Sequence, residues 1–213
     1  MFKLIDNNEL KNISIFIIWL INISGFFGIL SDEKDFFLSS SPYVLTLTLL
    51  LLIVNNNSDK KFLIKLSLIF LLGIIVEIMG VNYSFFFGEY QYGNNLGIKF
   101  FGVPLVIGFN WVLLIILTGN FAHRLFPKSK ISKVLFGSIL MILLDLLIEI
   151  SAPKLDYWEF AIHPVPLSNY LWWFVFSFFF HLIYQSDSNK EFIVSTNILV
   201  VHFLFFGMLA LFL

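Results

Sequence analysis

Asp145 and Glu149 stand four residues apart inside the apolar run ILMILLDLLIEI. That spacing puts both carboxyl groups on one face of a helix. Ser138 extends the same stripe. A third carboxylate, Glu77, interrupts the run FLLGIIVEIMG, with Gly73 and Gly80 on its own helix face. A charged side chain at membrane depth costs about 2.5–3.5 kcal/mol on insertion scales, which makes it a functional candidate by default. Three carboxyl groups brought together in an apolar slab resist ionising together, so at least one is expected to keep its proton at neutral pH. A carboxylic acid in a dry pocket is a general acid. A structural reading stands beside this one. Glu77 and Glu149 are near helix ends and could reach the interface, and any of the three could simply be hydrogen-bonded.

The other polar side chains carry weaker signals. His181 is expected as a solvated histidine near a helix end. His202 lies mid-span and could bond a neighbouring helix. His163 sits in a loop and could line an entrance. His123 and Arg124 fit a basic loop. No HxxxH, ExxH or histidine cluster occurs, so no metal is expected, although three carboxylates could hold a hard cation. No phosphate-binding glycine loop occurs and no cofactor is expected. The chain has no cysteine, which excludes thiolate chemistry and disulfides.

These residues need elements to hold them. Of the 213 residues 59% are hydrophobic and 13% charged, where a soluble domain has about a quarter charged. Seven apolar spans are expected, at about 13–30, 37–54, 62–80, 100–118, 132–150, 166–184 and 193–213. The second, with Pro42 near its start, is the weakest. The expected fold is an all-α, polytopic membrane bundle forming one transmembrane domain. The first span lacks a cleavage site after it and is expected to stay in the membrane. No internal repeat is evident, which speaks against an inverted-repeat transporter.

Lysine and arginine positions set the orientation. With the N-terminus cytoplasmic, Lys3, Lys11, Lys60, Lys61, Lys65, Arg124, Lys128, Lys130, Lys133 and Lys190 fall on that side. Lys34, Lys99 and Lys154 fall on the other. The C-terminus is then outside, in a prokaryotic plasma membrane. Glu77, Asp145, Glu149 and Asn169 all sort to the outer end, as do the loops 81–99 and 151–165. The net charge of −1 gives no reason to expect a nucleic acid. Membrane lipid is the expected surrounding. Tyr157, Trp158, Trp172 and Trp173 fall at the outer boundary, where aromatic residues commonly anchor a protein. An aromatic-lined pocket would also suit a polyene, or a carbocation held over ring faces.

The segment EIMGVNYSFFFGEYQYGNNLGIKFFGVPLVIGFNW resembles the carotenoid biosynthesis family of membrane proteins, which includes CruF-type carotenoid 1,2-hydratases and the archaeal bisanhydrobacterioruberin hydratase. The positions that carry the likeness are Glu77, Gly80, Phe87, Gly88, Tyr90, Tyr92, Leu96, Gly97, Gly102, Val103, Pro104 and Trp111. A second block, DLLIEISAPKLDYWEF with PVPLSNYLWWF, is similar at Asp145, Glu149, Trp158, Pro166, Ser168, Asn169, Tyr170 and Trp173. Glu149 stands where the family usually has Asp, Ile150-Ser151 replaces the proline that follows it, and Phe160 stands where a second tryptophan is usual. The resemblance implies acid-catalysed addition of water to the terminal 1,2 double bond of an acyclic carotenoid. Asp145 would be the acid, with Glu77 or Glu149 positioning the water or accepting its proton. Tyr90, Tyr92, Trp111, Asn169, Trp173 and Trp158 would shape the substrate pocket. Two alternatives stay open: an end-group cyclase or isomerase, which starts from the same protonation, and a non-catalytic binder of carotenoid or lipid.

Overall fold

A computed structural model describes residues 7–56, 59–185 and 191–213. Lys3 and Lys190 of the charge tally lie outside them. The described residues form eight helices: α1 (Asn7–Ile29), α2 (Lys34–Ser39), α3 (Ser41–Asn55), α4 (Lys60–Tyr83), α5 (Val106–Leu125), α6 (Lys130–Ser151), α7 (Leu167–Tyr184) and α8 (Ile193–Phe212). Four short strands lie in the connections: β1 (Tyr90–Tyr92), β2 (Lys99–Phe100), β3 (Val103–Pro104) and β4 (Trp158–Phe160). β1 pairs with β4, and β2 with β3, both antiparallel. The fold is an all-α membrane bundle, and five of its helices, α1, α4, α5, α6 and α8, are long and apolar enough to cross a membrane.

Two of the expected spans differ from the helices that form. The run 37–54 is broken at Ser40, because Pro42 cannot donate a backbone bond into a preceding turn and instead starts α3. The 15 residues of α3 are about 22 Å long, short of the roughly 30 Å hydrocarbon core. The run 100–118 is displaced to Val106–Leu125. Gly102 at φ +83° and Phe101 at φ +49° turn the chain back, so residues 99–104 make the β2–β3 ribbon before the helix begins. Pro104 therefore lies in a strand, before α5 begins.

The bundle is built around α5, which packs against α3, α4, α6, α7 and α8. Its residues from Trp111 to Asn120 are all buried. α1 lies outside this ring, on α8, α3 and α2. Large apolar side chains cover the outer faces: Phe16, Leu71, Leu143, Phe179 and Leu204 are all exposed. In water such a surface would aggregate; in lipid it is the solvated face.

The helices alternate in direction, which gathers two polar ends. At one, Asn55 donates to Ser14, Glu191 pairs with Lys11 at 3.2 Å, and Asn120 accepts from Tyr184 at 2.5 Å. Asp59 and Ser129 cap α4 and α6 there, each satisfying a backbone N–H at a helix start. At the other, Ser41 bonds Tyr157 at 2.7 Å, and Lys34 donates to the Lys154 carbonyl. The candidate carboxylates all belong to this second end.

Candidate functional site

Glu77 lies near the C-terminal end of α4 with 2% of its surface exposed. Its Oε2 accepts from Tyr90 Oη at 2.6 Å and from Tyr92 Oη at 2.7 Å, and its Oε1 accepts from Trp111 Nε1 at 2.9 Å. The two phenols reach one oxygen because β1 alternates: residues two apart in a strand face the same way, here inward, while Gln91 faces out. Gly88, at φ +97° against Pro166, turns the chain two residues before that strand. The glycines on either side of Glu77 make room for its donors. A Cβ on Gly73 would lie 2.9 Å from the Trp111 ring, and one on Gly80 would lie 2.8 Å from Tyr90 Oη. Burial, followed by the charge of Glu77, holds both phenols well above the usual tyrosine range. They therefore keep their protons and act as donors.

The second half of the site is on α6 and α7. Asp145 and Glu149 are 1% and 8% exposed. Asn169, in the first turn of α7, bridges them: its Nδ2 donates to Glu149 Oε1 at 3.2 Å and to Asp145 Oδ2 at 3.4 Å. Trp158 on β4 donates its indole N–H to Glu149 Oε2 at 3.1 Å. The β1–β4 ribbon joins the two halves. Trp158 is the cross-strand partner of Tyr92, and Phe160 that of Tyr90 with its ring centroid 5.3 Å away. A further link is the Trp111 ring, which stacks on Trp173 at 4.3 Å and 17°.

Three hollows meet around these residues. A cavity of about 20 Å³ is bordered by Glu77, Tyr90, Tyr92, Asn110, Glu149, Trp158, Asn169 and Trp173. One water needs roughly 10–15 Å³ of such space, so there is room for about one. Beside it lies an apolar chamber of about 390 Å³ between α1, α2, α3 and α8. Ile107, Asn110 and Trp158 line both. On the loop side is a polar hollow of about 230 Å³, lined by Gln91, Asn94, Asp156 and Glu159, and again by Tyr92 and Trp158.

The geometry thus brings Glu77 and Glu149 to one cavity, together with Tyr90, Tyr92, Asn169, Trp158 and Trp173. Trp111 is tied to Glu77 from behind. Asp145 does not border the cavity; it sits behind Asn169. Ser138 is buried, with its hydroxyl donated to the Val134 carbonyl. Tyr157 and Trp173 face the interior, away from lipid. Trp172 packs against Phe86 and Phe176.

Among the histidines, His181 is not solvated. It is fully buried over Gly137, with Nε2 3.1 Å from the Thr118 hydroxyl. The apolar α5–α6–α7 packing encloses it although it is near a helix end. His202 is 2.9 Å from the Ile198 carbonyl of its own helix and lines the large chamber. His163 is exposed, 3.9 Å from Glu159. Sequence reasoning did not find the chamber or Asn110 as part of the site. The signal for Asn110 was present: it is an amide in an otherwise apolar helix, next to the face that carries Trp111.

Comparison with curated proteins and with solved structures gives no match. The model of one family, described as carotenoid biosynthesis protein, matches residues 41–213. That stretch contains every side chain around the small cavity, and it leaves out α1 and α2, which form one wall of the chamber. The chain belongs to the carotenoid biosynthesis protein family.

Proposed function

We propose that this protein hydrates the terminal 1,2 double bond of an acyclic carotenoid. The observation that carries the reading is that Glu77 and Glu149 border one water-sized cavity that adjoins an apolar chamber. The chamber takes the polyene end. Leu20 and Phe36, exposed residues of its lining, make a route from the lipid.

Asp145 and Glu149, bridged by Asn169, act as one acid. Glu149 presents the proton at the cavity, and Asp145 holds the reserve position behind it. Protonation of the terminal double bond creates a tertiary cation. The faces of Trp158 and Trp173 and the neighbouring tyrosines favour such a charge. Glu77, fixed by three donors, positions the water that adds to the cation, and the carboxylate set takes up the proton that the water loses. The polar hollow beyond Tyr92 and Trp158 supplies water from the aqueous side. The net reaction adds one water and transfers no electrons.

Eight of the described basic residues of the first charge group, from Lys11 to Lys133, lie at the end opposite the site, against Lys34, Lys99 and Lys154 beside it. By the positive-inside rule α1 starts in the cytoplasm of a prokaryotic cell and the site faces outward.

The test is pigment extraction from a lycopene-producing bacterium with and without this chain. Hydration gives a pigment heavier by one or two waters with the polyene absorption unchanged. A product of unchanged mass identifies a cyclase or isomerase, and no new pigment, with protein confirmed in the membrane, supports a binder.

A further inference from the structure

We infer that Asn110 is a second positioning residue, which decides the fate of the cation by holding the incoming water together with Glu77 and then holding the new hydroxyl. The inference rests on the hydratase reading. Three residues line both the chamber and the small cavity: Ile107, Asn110 and Trp158. Ile107 has no polar side-chain atom. The Trp158 N–H is committed to Glu149. Asn110 is half-buried on α5, and among the described residues its amide makes no side-chain hydrogen bond. An uncommitted amide in an apolar wall has donors and an acceptor to offer whatever passes between the two spaces.

The chemistry at that junction branches. Protonation uses the alkene electron pair to make a new C–H bond and leaves a tertiary carbocation. If a water oxygen forms the C–O bond, the oxonium returns one proton to a carboxylate and an alcohol results. If no water is in place, an adjacent C–H gives up its proton to a carboxylate and an alkene of the original mass re-forms, or an internal double bond attacks and closes a ring, whose new cation then loses a proton to a carboxylate. Asn110 lines the boundary where the polyene end in the chamber meets the water in the cavity, so its amide selects the first branch. Its carbonyl accepts from the water, and its N–H₂ then donates to the new hydroxyl.

Two measurements on one set of variants test this. Asn110→Leu keeps the branched shape, with somewhat more bulk, and removes both polar atoms; Asn110→Ser restores one hydroxyl. In lycopene-producing cells, Asn110→Leu is expected to lower the hydrated fraction at least tenfold while same-mass isomers or rings accumulate, and Asn110→Ser to recover part of the hydration. Unchanged product proportions in Asn110→Leu overturn the inference. The second measurement is equilibrium binding of lycopene and of its 1-hydroxy derivative to purified protein. The unmodified chain should prefer the hydroxylated ligand by about two- to tenfold, the worth of one neutral hydrogen bond, and Asn110→Leu should lose that preference. If the unmodified chain makes no hydrated pigment, the hydratase reading fails by itself; a hydroxyl preference lost in Asn110→Leu then still supports Asn110 as the hydroxyl-holding group, and no preference overturns it as well.

Discussion

Trp158 donates its indole N–H to Glu149 Oε2 at 3.1 Å, and the same indole borders the apolar chamber, the small cavity and the polar hollow. One side chain therefore both holds a candidate catalytic carboxylate and stands between the apolar chamber and the polar hollow. Trp158→Phe keeps a ring in the wall and removes the donor. This bond strengthens as Glu149 gives up its proton, and a hydrogen bond to a charged group is worth about 1.5–3 kcal/mol, or roughly ten- to a hundredfold. The expected outcome is a loss of hydration rate in that range with lycopene affinity changed less than threefold, measured by initial rates and equilibrium binding on purified protein.

Glu77 accepts three hydrogen bonds and donates none. Glu77→Gln keeps the shape but points an N–H₂ group at donors. At least one of Tyr90, Tyr92 or Trp111 is then left without an acceptor in a buried site, at a cost of about 1–3 kcal/mol. Thermal unfolding in detergent should show the loss, and hydration should fall with it. The same substitution at exposed Glu89 should leave stability unchanged.

Gly73 gives a steric test with an internal control. Its added Cβ would fall 2.9 Å from the Trp111 ring, while nothing lies within 4 Å of a Cβ built on Gly207. Gly73→Ala is expected to destabilise by about 1–3 kcal/mol and to displace the indole from Glu77, seen as a shifted tryptophan emission. Gly207→Ala should be neutral or gain a few tenths of a kcal/mol from helix propensity.

Much of this arrangement was legible in the sequence. Asp145 and Glu149 share a face because a helix repeats every 3.6 residues. The strand that turns Tyr90 and Tyr92 the same way was read as part of a loop, because its partner β4 lies far along the chain. Apolar run length located the helices. It did not locate the break at Ser40 or the late start of α5, which depend on Pro42 and on the positive-φ turn at Phe101 and Gly102. Hydropathy also reports depth without direction, so His181 was read as solvated although α5 and α6 bury it. The chamber was illegible for another reason. Its walls come from α1, α2, α3 and α8, with loop residues between β1 and β4, and no local pattern records that those segments leave a gap.

The buried phenols carry a pH signature. Burial raises the folded-state pKa of Tyr90, Tyr92 and Tyr157, foremost among its causes. A group whose folded pKa is raised stabilises the fold fully below its unfolded value, about 10 for tyrosine, and that contribution is lost as pH rises above it. Stability in detergent should therefore decline above about pH 10. Spectrophotometric titration should show these three phenols ionising only as the protein unfolds, and Tyr92→Phe should remove one of them from that late step.

The most direct test of hydration is turnover of lycopene by the purified protein in water enriched in heavy oxygen. Hydration gives a pigment that carries one labelled oxygen for each end group modified, with an unchanged polyene spectrum, and none from protein with both Asp145→Asn and Glu149→Gln. A converted pigment without labelled oxygen, or full labelling by the double variant, would contradict it.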